Sequence, residues 1–290
     1  MHTGAEHLTF SKPKILKPLC VACRSAAKIL EEYLPGQQDV ITILRRDAAA
    51  LKEVLVQTLG RRHPSRPSEV SAAEYGYARR FLSRFNDVYT LNYDLLLYWT
   101  VMQTEILPNL EFSDGFRTPE DGPAPYVTWE MENSYNQKMF YLHGALHIFD
   151  GGHEVQKYTW RNTQEALMDQ IRAALEQELY PIYVSDGDST AKRAQIRHSD
   201  YLVRGHKSLL GISGALYVYG HSMDPGDDHV IRLIEKNKCK QLCVGLYGDP
   251  FSPDNLRIRR RANQVVSRRP SSRPLSISYF DASTAHVWRG

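Results

Sequence analysis

The sequence predicts an α/β protein with a doubly wound, mostly parallel sheet and an N-terminal helical segment. Three observations predict it. Over about the last two hundred residues, apolar runs of strand length alternate with helical patterns, the order that builds a parallel sheet covered by helices on both faces. Several of those runs end in Gly, Asp, Asn, His or Ser, the small and polar types that line a crevice at the carboxyl edge of such a sheet. The residues before position 87 show only helical spacing. A helical segment over 1–86 and an α/β domain over 87–290, together one compact unit, are the expected division.

In order, a helix is expected over 19–33, and helical spacing follows in Val40, Ile43, Leu44, Leu51, Val54 and Leu55, then in Val70, Tyr77, Phe81 and Leu82. Between these, the prolines of 61–68 force a loop. A strand over 87–91 leads into an apolar helix over 94–102, with Asp94 near its N-cap. The stretch 107–138, with four prolines and the turn pairs Asp114-Gly115 and Asp121-Gly122, reads as irregular, surface-covering structure. Apolar order returns at 139–142 and 145–149 and breaks at Gly151-Gly152. After a helix over 163–179 come core strands at 181–184, 215–219, 242–247 and 275–280, with helices at 228–237 and near 254–266. There is no internal repeat and no low-complexity tract.

Composition excludes several classes of protein. A chain of 290 residues with 42% hydrophobic residues supplies a real core, and 36 basic against 33 acidic residues is too slight a surplus to imply nucleic acid. No apolar run is long enough to cross a bilayer, and residues 1–18 lack the apolar core of a secretory signal, so a cytoplasmic location is expected. Cys20 and Cys23 form half of a zinc-type spacing, but Cys239 and Cys243 fall on an expected strand, where residues four apart are separated by about 13 Å. No metal is expected.

The residues that carry chemistry sit just past the strands. Asn92 and Asp94 flank a tyrosine after the first strand, where their side chains would face the crevice and bond ribose hydroxyls or an amide; alternatively Asp94 only caps the next helix and Asn92 only shapes the turn. His143 combines a base titrating near neutrality with Gly144, which admits a ligand or a neighbouring backbone. Gly220 and Ser222 follow the 215–219 strand with room for a phosphate or ribose and a hydroxyl to bond it, and Asp228-His229 opens a helix whose amino end attracts an anion.

The order of these motifs is more specific than any one of them. Strand-Thr-x-Asn-x-Asp, strand-x-His-Gly and strand-Gly-x-Ser resemble the sirtuin-like (Rossmann-type) domains, including those of bacterial antiphage proteins that consume nicotinamide adenine dinucleotide (NAD). More closely, Val88 through Trp99, Tyr141 through His147, Tyr219-Gly220-His221-Ser222, and Phe280-Asp281-Ala282 with Val287-Trp288 resemble domain-of-unknown-function family 4917, a bacterial group related to them. The likeness runs from about Ala22 to Trp288. It implies a sirtuin-like sheet, NAD as substrate or ligand, Asn92 and Asp94 beside the nicotinamide ribose, His143 as the base acting on a ribose hydroxyl, and Gly220 and Ser222 near phosphate and ribose. It also places Asp186, Gly187 and Lys192 in a segment where Lys192 would contact phosphate.

One departure stands out. Sirtuin-like domains open with a strand running into a Gly-x-Gly or Gly-Asn-Gly loop whose amides meet the pyrophosphate, whereas residues 1–21 hold a single glycine, Gly4, with no apolar strand before it. The expectation is therefore a domain shortened at its amino terminus, with the central position of the sheet empty or filled otherwise.

The leading expectation is an NAD-binding protein that cleaves the glycosidic bond, with His143 activating a hydroxyl or water and Asn92 orienting ribose or water. A non-catalytic binding or scaffold module that has lost the phosphate loop is the alternative. A nucleic-acid contact through the seven arginines of 257–273 is a third reading, weaker because no aromatics interleave to stack bases.

Overall fold

The computed structural model describes residues 16–60, 63–132, 134–177, 179–184 and 188–289. The chain divides into two units, residues 1–65 and 66–290. In the first, helices α1 (Leu16–Tyr33) and α2 (Gln38–Gly60) pack on each other, burying Ala27, Ile41 and Ala48. An Arg45–Glu31 ion pair at 2.5 Å bridges their exposed faces.

The second unit opens with α3 (Ala72–Leu82), started by a capping box in which the Ser71 and Glu74 side chains each bond the other's backbone N–H. Arg79 then turns inward. Its fully buried guanidinium donates to the carbonyls of Thr100, Val101, Ile106, Leu107 and Leu110, tying α3 to the end of α4 (Leu96–Met102) and the loop beyond.

Ten strands form three sheets among the described residues. Strand β1 (Val88–Thr90) pairs in parallel with β4 (Met139–Tyr141). Strands β8 (Ser213–Val218), β9 (Lys238–Leu246) and β10 (Ser276–Asp281) form a parallel sheet in the order β10-β9-β8. Its crossovers are α9 (Asp228–Lys236) and α10 (Pro253–Ser267), the strand-helix-strand units that the alternating pattern predicts. The third sheet is antiparallel, in the order β2-β3-β6-β5-β7, from β2 (Phe116–Arg117), β3 (Tyr126–Trp129), β5 (Gly144–Asp150), β6 (Val155–Tyr158) and β7 (Pro181–Tyr183).

The result is a mixed α/β fold with several sheets, some parallel, and it corrects the expectation of a mostly parallel sheet. Four strand pairings are antiparallel and three parallel among the described residues. The short Gly151-Gly152 connection can join β5 and β6 only as a hairpin, because a parallel return needs a crossover of a dozen residues or so. Strand β7, expected in the parallel sheet, instead pairs antiparallel with β5. Residues 107–138 are not merely surface covering: they supply β2 and β3, and Asp114 is buried in an ion pair with Lys157. Two helices escaped the sequence reading, α7 (Ser189–Ile196), capped by Asp188, and α8 (Asp200–Gly211), capped by Ser199. The expected 163–179 helix is α5 (Trp160–Thr163) and α6 (Leu167–Glu176), separated where Gln164 takes φ 62°.

The parallel strands share an apolar layer. Tyr89 stacks on Phe140 at 5.0 Å, and with Leu91 it packs against a cluster of Phe140, Leu142, Leu209 of α8 and Val230 of α9. On the other side Ile231 and Ile234 of α9 join Leu242, Val244, Ala262 and Val265. No helix among the described residues is long and apolar enough to cross a membrane.

Candidate functional site

Three parallel strands deliver their carboxyl ends to one region. After β1, the Thr90 hydroxyl accepts the Asn92 N–H at 3.0 Å, fixing a tight exit that leaves Asn92 exposed, and Asp94 accepts the Leu96 N–H at 2.9 Å to start α4. After β4 comes His143, only 5% exposed. After β8, Gly220 takes φ 67°, a conformation that favours glycine, and turns the chain into His221.

A polar cluster joins these ends to α7 and α9. Asp227, just before α9, accepts the Lys192 ammonium at 2.7 Å on one carboxylate oxygen and His221 Nε2 at 3.3 Å on the other. His221 Nδ1 accepts the Met223 N–H at 2.9 Å, so its proton sits on Nε2 and points at Asp227. Burial alone would raise the Asp227 carboxyl, but the His221 and Lys192 hydrogen bonds and the lysine charge outweigh it and hold the carboxyl well below the usual range.

His143 and His229 face one another with Nε2 atoms 2.9 Å apart and rings nearly parallel. Burial lowers His143 to about 3 and His229 to about 4 against the pull of Asp227, so both are neutral at pH 7 and share one N–H···N bond. The buried Nδ1 of His229 has no hydrogen-bond partner, and an orphan lone pair costs less than an orphan N–H. The network therefore assigns the shared proton to His229 Nε2, with His143 as acceptor.

His143, His229 and Asp227 offer three ligand atoms within 4.8 Å of one another, the geometry nearest a metal site among the described residues. Two features oppose a cation there: the Lys192 ammonium already occupies the carboxylate, and His229 Nδ1 lacks the acceptor that orients a metal-ligating histidine.

Beside this cluster runs a groove of about 490 Å³, within the size range of ligand pockets, lined along its length by β1 and β8. Of the residues singled out in the sequence, Asn92, Asp94 and Gly220 line it, together with His221. His143, Gly144, Ser222 and Asp228 do not, and His143 lies 4.0 Å from Asp227, which His221 also contacts. Gly144, at φ 76°, admits a backbone: a Cβ there would lie 1.9 Å from the Ile182 carbonyl oxygen of β7. Ser222 is exposed, and Asp228 is held by Arg261. Lys192 is engaged by Asp227, while Asp186 and Gly187 lie outside the described residues. The sequence reading does not take His221, Asp227 and His229 as a set, although two histidines and three acids within residues 221–229, just past a strand, are a visible signal.

Six of the seven arginines of 257–273 are engaged within the unit. Arg269 donates to Asn237 and the Cys239 carbonyl, Arg261 to Asp228, Arg268 to Glu235, Arg257 to Asp254 and Arg273 to the Lys236 carbonyl, while Arg259 lies over the Tyr279 ring.

No curated protein matches the chain. The family model described as "Domain of unknown function (DUF4917)" matches residues 20–288, nearly the whole sequence, and the chain belongs to that family.

Proposed function

We propose that the second unit binds a nicotinamide dinucleotide at the carboxyl ends of β1, β4 and β8 and cleaves its bond to nicotinamide. The observation that carries the reading is that Asn92 and His221, from the ends of β1 and β8, line one crevice between two sheets whose strands do not pair across it, with His143 beside it on the Asp227 that His221 also contacts. In this reading β4-β1 and β8-β9-β10 are the two halves of a doubly wound, sirtuin-like sheet, and the break between them is the position where such sheets bind dinucleotides.

Asn92, exposed at the groove, orients the ribose or the attacking water. In the hydrolytic step the C1′–N bond breaks, nicotinamide leaves with the electron pair, water oxygen bonds C1′ and its proton passes to His143. The lone pair for that proton is the one His229 now holds, so a bound hydroxyl or water must displace the His229 N–H before transfer. Asp227, 4.0 Å away, offsets the imidazolium that forms. The likeness to dinucleotide-consuming antiphage proteins makes bacterial defence, in the cytoplasm, the setting.

A second reading, a binding or scaffold module without turnover, is favoured by the burial of His143 and its absence from the groove wall. Nicotinamide release by the purified chain separates the two. Turnover abolished in both His143→Ala and Asn92→Ala, with the fold intact, supports hydrolysis; dinucleotide binding without turnover supports the module; neither binding nor turnover refutes both.

A further inference from the structure

We propose that a hollow between α3 and the parallel sheet binds a nucleoside phosphate unit, with its base against aromatic rings and its phosphate on Arg80 and Arg84. The hollow, of about 540 Å³, is within the size range of ligand pockets, and all its lining residues belong to the second unit. One wall is the stretch 77–85, Tyr-Ala-Arg-Arg-Phe-Leu-Ser-Arg-Phe, in which basic and aromatic residues interleave. Tyr77, Phe81 and Phe85 follow one another at intervals of four, the spacing of neighbours on a helix face. The Arg84 and Phe85 N–H groups bond the Phe81 and Leu82 carbonyls and carry the coil past the end of α3. The facing wall is the sheet. Leu216, Val218, Ile277 and Tyr279 pack toward α9 and α10, so alternation turns Tyr217 and Phe280 to the opposite face, where both line the hollow. The rings adjoin across the two walls, with Phe81 and Phe85 5.0 Å apart, Phe85 and Tyr217 5.5 Å, and Tyr217 and Phe280 6.4 Å.

The lining sets the chemistry of the ligand. Tyr217 is 49% exposed, and a base of any identity can cover such a ring because every base has a π-face. Arg80 and Arg84 are exposed, and neither makes an ion pair among the described residues. The Arg80 guanidinium lies 4.7 Å over the Tyr77 ring, which holds its plane while its edge stays open to an anion. His286 lines the hollow from beyond the last short helix, and no acidic residue is in the lining among the described residues. Two guanidinium forks without a competing carboxylate match the several oxygens of a phosphate. A simple anion would leave the rings uncovered, and a neutral ring would leave the arginines unpaired, so the ligand carries both parts. The hollow shares Phe81, Phe85 and Tyr217 with the wall of the groove, but not Asn92, Gly220 or His221, and its occupation does not rest on dinucleotide cleavage. The same unit occurs as a free mononucleotide and at the end of a single strand.

The test is calorimetric titration of the full chain with adenosine 5′-monophosphate, adenosine, inorganic phosphate and a short 5′-phosphorylated deoxyadenosine strand. The expected result is one-to-one binding of the monophosphate, tighter by about tenfold or more than that of adenosine or phosphate alone. Affinity should fall about tenfold or more in the double variant Arg80→Gln/Arg84→Gln and in Tyr217→Leu, which keeps apolar bulk but removes the ring, and should hold in Asn92→Ala. All of these side chains but Asn92 line the hollow, and unchanged urea midpoints in the variants show that the fold is kept. A strand that binds about tenfold tighter than the monophosphate identifies a strand end as the source, and one that binds no tighter identifies the free nucleotide. No binding of either, equal affinity for adenosine and its monophosphate, or full affinity in the arginine or tyrosine variant would each overturn the proposal. So would affinity lost in Asn92→Ala and kept in the arginine variant, which would put the nucleotide in the groove instead.

Discussion

Replacing Gly144 by alanine separates a glycine kept for a ligand from one kept for a neighbouring strand. At φ 76° an alanine costs about 1 kcal/mol of left-handed strain. The larger cost is steric: the new Cβ would sit 1.9 Å from the Ile182 carbonyl oxygen, whereas ordinary contact begins near 3.4 Å, so β7 must retreat. Retreat breaks the Val184 N–H bond to the His143 carbonyl, now 2.8 Å, and leaves buried backbone unpaired at about 1–3 kcal/mol. The sum is a destabilisation of roughly 2–4 kcal/mol, a large fraction of a typical domain's stability. Gly220 supplies the control. It has φ 67°, and no atom lies within 4 Å of the point its Cβ would occupy, so Gly220→Ala bears the strain alone, about 1 kcal/mol. Urea unfolding followed by tryptophan fluorescence measures both, because Trp99, Trp129, Trp160 and Trp288 all lie in the second unit. Equal losses in the two variants, or a Gly144→Ala loss near 1 kcal/mol, would refute the close-approach argument and return Gly144 to the ligand site.

Three further outcomes are expected. Arg79→Met should cost about 4 kcal/mol or more or prevent folding, since five carbonyls lose the donor they share, with Arg79→Lys intermediate by the same urea assay. Acid should destabilise the second unit early: His143 and His229 are lowered from 6.5 to about 3 and 4, first by burial, so the unfolded state binds more protons and stability, full above pH 6.5, falls as pH drops toward 4. Urea midpoints at about pH 7, 5.5 and 4.5 should show that slope flattened in His143→Gln/His229→Gln, and an unaltered slope would contradict the buried neutral pair. Asp228→Asn should cost about 1–2 kcal/mol, matched by Arg261→Gln and coupled to it in a double-mutant cycle, while leaving dinucleotide affinity unchanged. Lost affinity with intact stability would instead make Asp228 a ligand contact.

Local pattern made much of this fold legible. Helices α9 and α10 and strands β8, β9 and β10 lie within a few residues of their expected bounds, because an apolar period and a capping residue are both local signals. Helix α8 lies outside the elements read from the sequence although Ser199 caps it. The apolar run 181–184 reads as a strand but not as a member of one sheet or the other, because a short run has the same composition in parallel and antiparallel surroundings.

The site divides in the same way. That Asn92, His143 and Gly220 follow strands was determined by sequence alone, since glycine and short polar residues after apolar runs mark strand ends wherever the strands go. Which of them meet was decided only by the tertiary structure. Residues 143, 192, 221, 227 and 229 come from two strand ends, two helices and a turn, and their contacts depend on how α7 and α9 pack. The same packing turned His143 from an open base into a buried, neutral acceptor and committed Lys192 to Asp227. Charge state and partner are properties of surroundings assembled from distant parts of the chain, and desolvation, the largest influence on both histidines, exists only once those parts have closed around them.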